Sequence, residues 1–295
     1  MEVHGLVRDD ADVLLLVPAD PIRPRRPDEH FAAEARAARD LGVDVAVVDH
    51  DILAAGGDVA AALAAITMGG DAVYRGWMLR SDRYAAFAEG LARRGVTLRT
   101  NAEQYRRAHE LPGWHSALKD VTPRSAWTIG VDRADFDKAR LAIGSGPAVL
   151  RDYSKSMKHY WHEAAYIPDV QNGDAAWKVA SRFLELREDE FVGGFVLREF
   201  EPFPGPEVRT WWVDGRCVLV GPHPDTPDEQ PPAPANLDRV ASAIRDLGLP
   251  FVTADLARRA DGVWRVVEVG DGQVSDRPST MDPATLISAI LGLPD

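Results

Sequence analysis

One cysteine, Cys217, is all the chain carries in 295 residues. No internal disulfide can form, which excludes a disulfide-stapled secreted scaffold and makes a reducing cytoplasm the expected setting. Cys217 falls in the strand-like run Arg216-Cys-Val-Leu-Val220, where a packing role is expected rather than a nucleophilic one. Long apolar runs are missing too. Val13–Val17 is only five residues long, with acids before it. No segment approaches the roughly 18 apolar residues that span a bilayer, and no secretory pattern opens the chain. Positive charge is in short supply: 34 Lys and Arg stand against 46 Asp and Glu, a net charge of −12. That balance argues against nucleic acid or an anionic membrane as a general partner, while leaving room for a local basic pocket. Several catalytic signatures are also absent. There is no GxGxxG after the first strand, no GxxxxGKS/T phosphate loop, no GxSxG elbow and no HExxH zinc pair. Internal repeats and heptads are lacking as well.

What is present reads as an ordinary globular protein, 45% hydrophobic and 27% charged, long enough for two or three packed units. The first hundred residues alternate strand and helix. Strands are expected at 13–17, 43–48, 72–75 and 96–100, with helices at 28–41 (capped by Asp28 and ended by Gly42), 58–68 and 82–94. The middle is mixed, with helices at 102–110, 132–143 and 174–187 and a strand at 148–151. The last third is strand-rich, with a strand at 193–203, two Asp-Gly hairpins, a Pro-rich loop at 222–236, and helices at 237–247 and 283–291.

The hairpins carry the chemistry. Asp-Gly between alternating runs predicts a two-residue type I′ turn. At Asp261-Gly262 such a turn sets Ala260 against Val263 and therefore Asp255 against Glu268. Like charges directly opposed on a half-buried face are unfavourable, and a Mg²⁺ shared between the carboxylates would relieve them. A solvated surface hairpin with a loose register is the alternative. At Asp214-Gly215 the same rule sets Arg209 opposite Val220, on a face with Trp211 and Val218, where the arginine needs an anionic partner or an outlet to solvent. Arg198 lies out of phase with the apolar face of its strand, so a solvated or a site-facing role is open. Lys155 and Lys158 follow a strand and a small-residue turn, a place to hold phosphates or simply a basic loop. His159 and His162 stand among Tyr160 and Trp161, where packing or stacking is expected over metal ligation. Arg23-Pro-Arg-Arg-Pro reads as a solvated loop, and Arg75 and Arg80 face either an acidic substrate or water.

Five blocks in order bring these residues together: VYRGWML (73–79), RDYSKSMKHYWHEAAYIPD (151–169), GGFVLREFEPF (193–203), EVRTWW (207–212) and DGVWRVVEVGDGQVS (261–275). The set resembles the ATP-grasp superfamily, in particular the clade named for two arginines and one lysine. The resemblance implies a Rossmann-like N-terminal α/β unit followed by the two-subdomain α+β ATP-grasp fold, with domains at 1–101, 102–190 and 191–295. It implies ATP and Mg²⁺ as cofactors, and a cytoplasmic ligase joining a carboxylate to an amine, amino acids and peptides included, through an acyl phosphate. Oligomeric state is left open, a homodimer among the options. Asp255, Glu268 and Asp271 are the implied metal ligands. Arg198, Arg209 and Lys158 match the clade's eponymous catalytic cations. Lys119, Arg151, Lys155, Lys158, Glu199, Phe200 and Glu201 are the implied nucleotide contacts. The chain departs from the pattern twice. Arg151 stands where many relatives have lysine, and Gly270 where many have asparagine, with Asp271 or Gln273 as substitutes. A non-catalytic ATP-binding module is the principal rival, and a ligase forming an adenylate on a lysine, which would release AMP, is the second.

Overall fold

The computed structural model describes residues 13–229, 231–234 and 237–292. The chain forms two compact units, one comprising Met1–Tyr105, Pro250–Val252 and Asp271–Asp295, the other Arg106–Leu249 and Thr253–Gly270.

In the first unit β1 (Leu14–Pro18), α1 (Ala32–Asp40), β2 (Val45–Val48), α2 (His50–Ala55), α3 (Val59–Ala62), β3 (Gly70–Tyr74), α4 (Ser81–Ala92) and β4 (Val96–Leu98) alternate, and α5 (Ala102–His109) leads out. The strands form one parallel sheet, ordered β2-β1-β3-β4. Parallel strands covered on both faces read as unbroken apolar runs, and every residue of β1 is buried. Tyr74, Tyr84 and Phe87 pack edge to face in the core beside Leu16 and Leu91. Two expectations change. Asp28 does not cap α1, because its carboxylate is turned back onto the His30 amide and the helix begins only at Ala32. The expected helix at 58–68 is one short turn capped by Asp58, while Asp49 caps an unforeseen helix, α2, ended by Gly56 in the left-handed region.

Arg75 was open to an acidic substrate by sequence, but the structure places it in the interior, 1% exposed. Its Nε and Nη2 donate to both oxygens of Glu34 at 2.7 and 3.0 Å, and Nη1 donates to the carbonyls of Gly272, Gln273 and Ser275. A planar fork suits this double duty. Arg75 is therefore a structural post of the first unit.

The second unit adds α6 (Leu111–Leu118), β5 (Ser125–Trp127), α7 (Arg133–Ile143), β6 (Ala148–Arg151), β7 (Tyr166–Ile167), α8 (Gly173–Arg187), β8 (Val196–Glu199), β9 (Val208–Val213), β10 (Arg216–Pro222), α9 (Asp238–Leu247) and most of β11 (Phe251–Arg258) and β12 (Trp264–Asp271). The terminal helix α10 (Pro283–Leu291) returns to the first unit. Two four-stranded sheets result, ordered β5-β8-β6-β7 and β10-β9-β11-β12. Asp132 and Asn172 cap α7 and α8, which cover the first sheet around Phe136, Phe183 and Phe195. Strand β8 stops at Glu199, short of the expected 203, because Pro202 and Pro204 have no amide to continue a ladder. Among the described residues, no helix is long and apolar enough to cross a membrane.

Both hairpins depart from the expected register. Asp214 and Gly215 take φ of 47° and 74°, as a two-residue type I′ turn requires. A bulge between Cys217 and Leu219 then moves Arg209 from Val220 to Gly221. Cys217 is exposed on this strand rather than packed. At the second turn only Gly262 is left-handed, at φ 86°. The Arg259 amide donates to the Val263 carbonyl and the Gly262 amide to the Arg259 carbonyl, which closes a three-residue loop over 260–262. Asp261 stays out of the left-handed region, its carboxylate held by Arg259 and by the Val263 amide. A two-residue turn therefore does not set Asp255 against Glu268.

Candidate functional site

The two sheets of the second unit are tied together by arginines. Arg198 of β8 is buried and donates from Nη1 to the Val267 carbonyl at 2.5 Å and from Nη2 to the Thr122 hydroxyl at 2.8 Å. Its guanidinium lies over Trp114, and its Nε has no hydrogen-bond partner among the described residues. Burial, reinforced by the nearby charge of Arg151, pushes this group down to about 9. Arg151, at the end of β6, donates to the Ser154 carbonyl at 2.6 Å and meets Glu268 of β12 at 3.4 Å. The loop behind it is built on Asp152, whose Oδ1 accepts from the Ser154 and Lys155 amides while Oδ2 accepts from Arg187.

On the second sheet Arg209 of β9 faces Asp255 of β11. Nε donates to Oδ1 and Nη2 to Oδ2, both at 2.8 Å. Burial raises the Asp255 carboxyl, but Arg209 and then His223 outweigh it and hold the group down at about 2. His223 follows β10, with Nε2 3.4 Å from Asp255 and 3.2 Å from Arg209 Nη2. Glu207, just before β9, is raised by burial and by the charge of Asp255, and no hydrogen bond or ion pair engages it among the described residues. One ligating atom from each of Glu207, His223 and Asp255 lies within 4.8 Å of the others. Lys158, in the short helical turn after the Asp152 loop, pairs with Asp225 at 2.8 Å, and that bond raises it above the ordinary lysine range. Glu268 acts electrostatically on Lys158, Arg198 and Glu207, so these groups share one field.

The other expected residues have more varied surroundings. Lys155 and Lys119 are exposed, and no hydrogen bond or ion pair engages either side chain among the described residues. Glu199 faces Arg124 at 3.4 Å. Phe200 packs against Tyr166 and Trp161, and its amide donates to the Pro147 carbonyl. Glu201 is gripped by Arg265 through two hydrogen bonds. Asp271 belongs to the first unit, fully buried, with Gln273 donating to both its oxygens; burial pushes it up to about 7. The like-charge strain expected between Asp255 and Glu268 is absent, since each carboxylate has its own arginine. Both remain hard oxygen donors, and Asp255 Oδ1 and Glu268 Oε2 keep lone pairs without a partner among the described residues, so the donor set still suits Mg²⁺. Glu207, His223, Asp225 and Thr122 were not singled out from sequence. Glu207 opens one of the quoted blocks, and His223 and Asp225 lie in the Pro-rich loop, whose composition gives no sign of their position.

Residues 141–290 match the family model described as an ATP-grasp domain, family 3 of the two-arginine, one-lysine clade. No curated protein matches the chain in sequence. Among solved structures, the chain is similar to a RimK domain ATP-grasp protein of Sphaerobacter thermophilus, at 19% identity and a TM-score of 0.63, covering 95% of this chain and 98% of that one. D-cycloserine synthetase DcsG is similar at 18% identity and a TM-score of 0.61, covering 96% and 100%. The ATP-grasp ligase PsnB, complexed with a minimal precursor, Mg and ADP, is similar at 14% identity and a TM-score of 0.55, covering 96% and 98%. These likenesses show the fold, with the Rossmann-like front unit and the paired sheets among its parts.

Proposed function

The chain belongs to family 3 of the ATP-grasp clade named for two arginines and one lysine, and from that premise we propose that it is an ATP-dependent, ADP-forming carboxylate–amine ligase. The observation that carries this reading is the pairing of fixed cations with carboxylates in the second unit, where Arg151 meets Glu268 at 3.4 Å and Arg209 takes both oxygens of Asp255, with Arg198 and Lys158 within the electrostatic reach of Glu268. A cluster of fixed cations is what phosphoryl transfer needs, because charge spreads over the transferred group and no covalent nucleophile from the protein is required.

In this reading the substrate carboxylate attacks the γ-phosphorus of ATP, the bond to the bridging oxygen breaks, and ADP leaves. The amine nitrogen then attacks the acyl carbon, phosphate leaves, and the amine proton passes to solvent. Lys155 and Lys119, exposed and with side chains unengaged among the described residues, are free to meet phosphates. Lys158 joins them once it releases Asp225. Arg151 and Arg198 hold the β12 backbone and Glu268 in place. Asp255 and Glu268 would hold Mg²⁺, which neutralises phosphate charge when bound. Phe200, Tyr166 and Trp161 offer an aromatic wall beside the strand end, suited to a purine. Amino acids and peptides are the substrate pools to screen.

Product analysis tests the proposal. With Mg-ATP and such pools the protein releases ADP and phosphate, and Glu268→Gln cuts that release by orders of magnitude. Because Glu268 is 44% exposed and only 3.4 Å from Arg151, the same change should leave stability within about 1 kcal/mol. AMP and pyrophosphate would instead indicate an adenylating ligase. One observation favours a second reading, a module that binds ATP without ligation: Arg209 takes both oxygens of Asp255. ATP binding without ADP release across the pools would support it.

A further inference from the structure

Among the described residues, one group of three ligating side chains in the second unit goes beyond the pair of carboxylates that the family resemblance implies. It is Glu207, His223 and Asp255, drawn from the approach to β9, the loop after β10, and β11. Three features mark it. Glu207 is a half-buried carboxylate that no hydrogen bond or ion pair engages among the described residues. An unpaired carboxylate beside the charge of Asp255 is costly, and that cost calls for a cation. Next, His223 turns Nε2 toward Asp255, while its Nδ1 meets the Asp225 amide at 3.2 Å and the Asp225 carboxylate stands 3.7 Å away. A metal on Nε2 would need the proton on Nδ1, and the neighbouring carboxylate is the group able to take that N–H in place of the amide contact. Lastly, Asp255 is 4% exposed, so its position is fixed by the strand rather than by a loose side chain.

We propose that Glu207, His223 and Asp255 form a mixed nitrogen–oxygen site for a divalent transition metal of the zinc and cobalt class, distinct in donor chemistry from the Mg²⁺ pair Asp255 and Glu268. Imidazole raises affinity for late first-row metals far more than for Mg²⁺, which favours an all-oxygen shell and retains its waters. Three protein ligands leave positions for water or for a phosphate or carboxylate oxygen. Arg209 is the competing internal cation. Its Nη2 donates to Asp255 at 2.8 Å and stands 3.2 Å from His223 Nε2, so it neutralises the cluster in the absence of metal. A bound metal would take Asp255 Oδ2 from that nitrogen and would require His223 Nε2 to be the unprotonated one, while Nε of Arg209 keeps its bond to Oδ1.

The test uses Co²⁺ on the full chain without nucleotide, because its visible absorption reports nitrogen and oxygen ligation directly, and a failure of ATP to bind leaves this measurement intact. One Co²⁺ per chain should bind with structured visible absorption, Zn²⁺ should displace it, and excess Mg²⁺ should not. His223→Gln and Glu207→Gln should each weaken binding at least tenfold. Arg209→Lys, which removes the planar fork, should strengthen it, and Glu268→Gln should leave it unchanged. Folding of each variant is checked by its melting temperature. Should Arg209→Lys prove unstable, the His223→Gln and Glu268→Gln pair still decides the matter. Loss of Co²⁺ in Glu268→Gln with normal binding in His223→Gln would overturn the proposal in favour of the carboxylate pair. Absence of any Co²⁺ binding, or displacement by Mg²⁺, would overturn it as well.

Discussion

Arg209 and Asp255 form a two-armed pair across neighbouring strands, with Nε to Oδ1 and Nη2 to Oδ2 both at 2.8 Å, on side chains only 12% and 6% exposed. A pair this buried is worth little as a gain over an apolar core, but breaking it strands a charge. Arg209→Ala should therefore cost about 3 kcal/mol in urea melts at pH 7. The pH dependence has a definite sign. The Asp255 carboxyl is held at about 2 against an ordinary 3.8, so its contribution is complete above pH 4 and is lost as pH falls toward 2. Arg209→Ala should flatten that limb of the stability curve. An unaltered limb would mean that the carboxylate is held by other groups.

Arg75 yields the opposite kind of variant from a substrate-binding arginine. Arg75→Ala leaves Glu34 buried without its fork and removes the donor to three carbonyls. A loss of about 3–5 kcal/mol is expected, with the first unit melting early. The double variant Arg75→Met/Glu34→Leu should recover the part of the loss that comes from the stranded Glu34 charge, while the three carbonyls stay without this donor. A stable Arg75→Ala with a raised KM would return this residue to the substrate.

Asp225 holds Lys158, a cation that the proposed function assigns to phosphate. Their pair is 2.8 Å long, with both side chains 62% exposed, so its share of stability is small, about 0–1 kcal/mol. Asp225→Asn should leave the melting temperature unchanged and tighten nucleotide binding several-fold by calorimetric titration. Weaker binding in that variant would show that Asp225 supports the site rather than blocking it.

How much of this was readable in sequence depends on what each feature rests on. Leu14–Pro18 and Val45–Val48 declared themselves because buried parallel strands are continuous apolar runs. Ser125–Trp127 did not, being too short for any periodicity to register. Asp214-Gly215 made the expected turn, yet a single bulge two residues later changed the partner of Arg209. At Asp261-Gly262 a local contact from Arg259 chose a three-residue loop that the dipeptide does not predict. The cations of the candidate site stood out by type, through the ordered blocks. Their partners did not, because Arg209 meets Asp255 from 46 residues away and His223 reaches it from a Pro-rich loop with no pattern of its own. Sequence marks which residues carry charge, and only packing decides which charges meet.

The proposed function requires the second unit to bind Mg-ATP, and thermal melting with nucleotide measures that binding. A ligand that binds only the native state adds about 2.7 kcal/mol at 100 times its dissociation constant. For a chain of 295 residues that corresponds to a rise of several degrees. Saturating Mg-ATP should produce this rise, and ADP or a non-hydrolysable analogue should follow it. A melting temperature unmoved by all three would contradict the account.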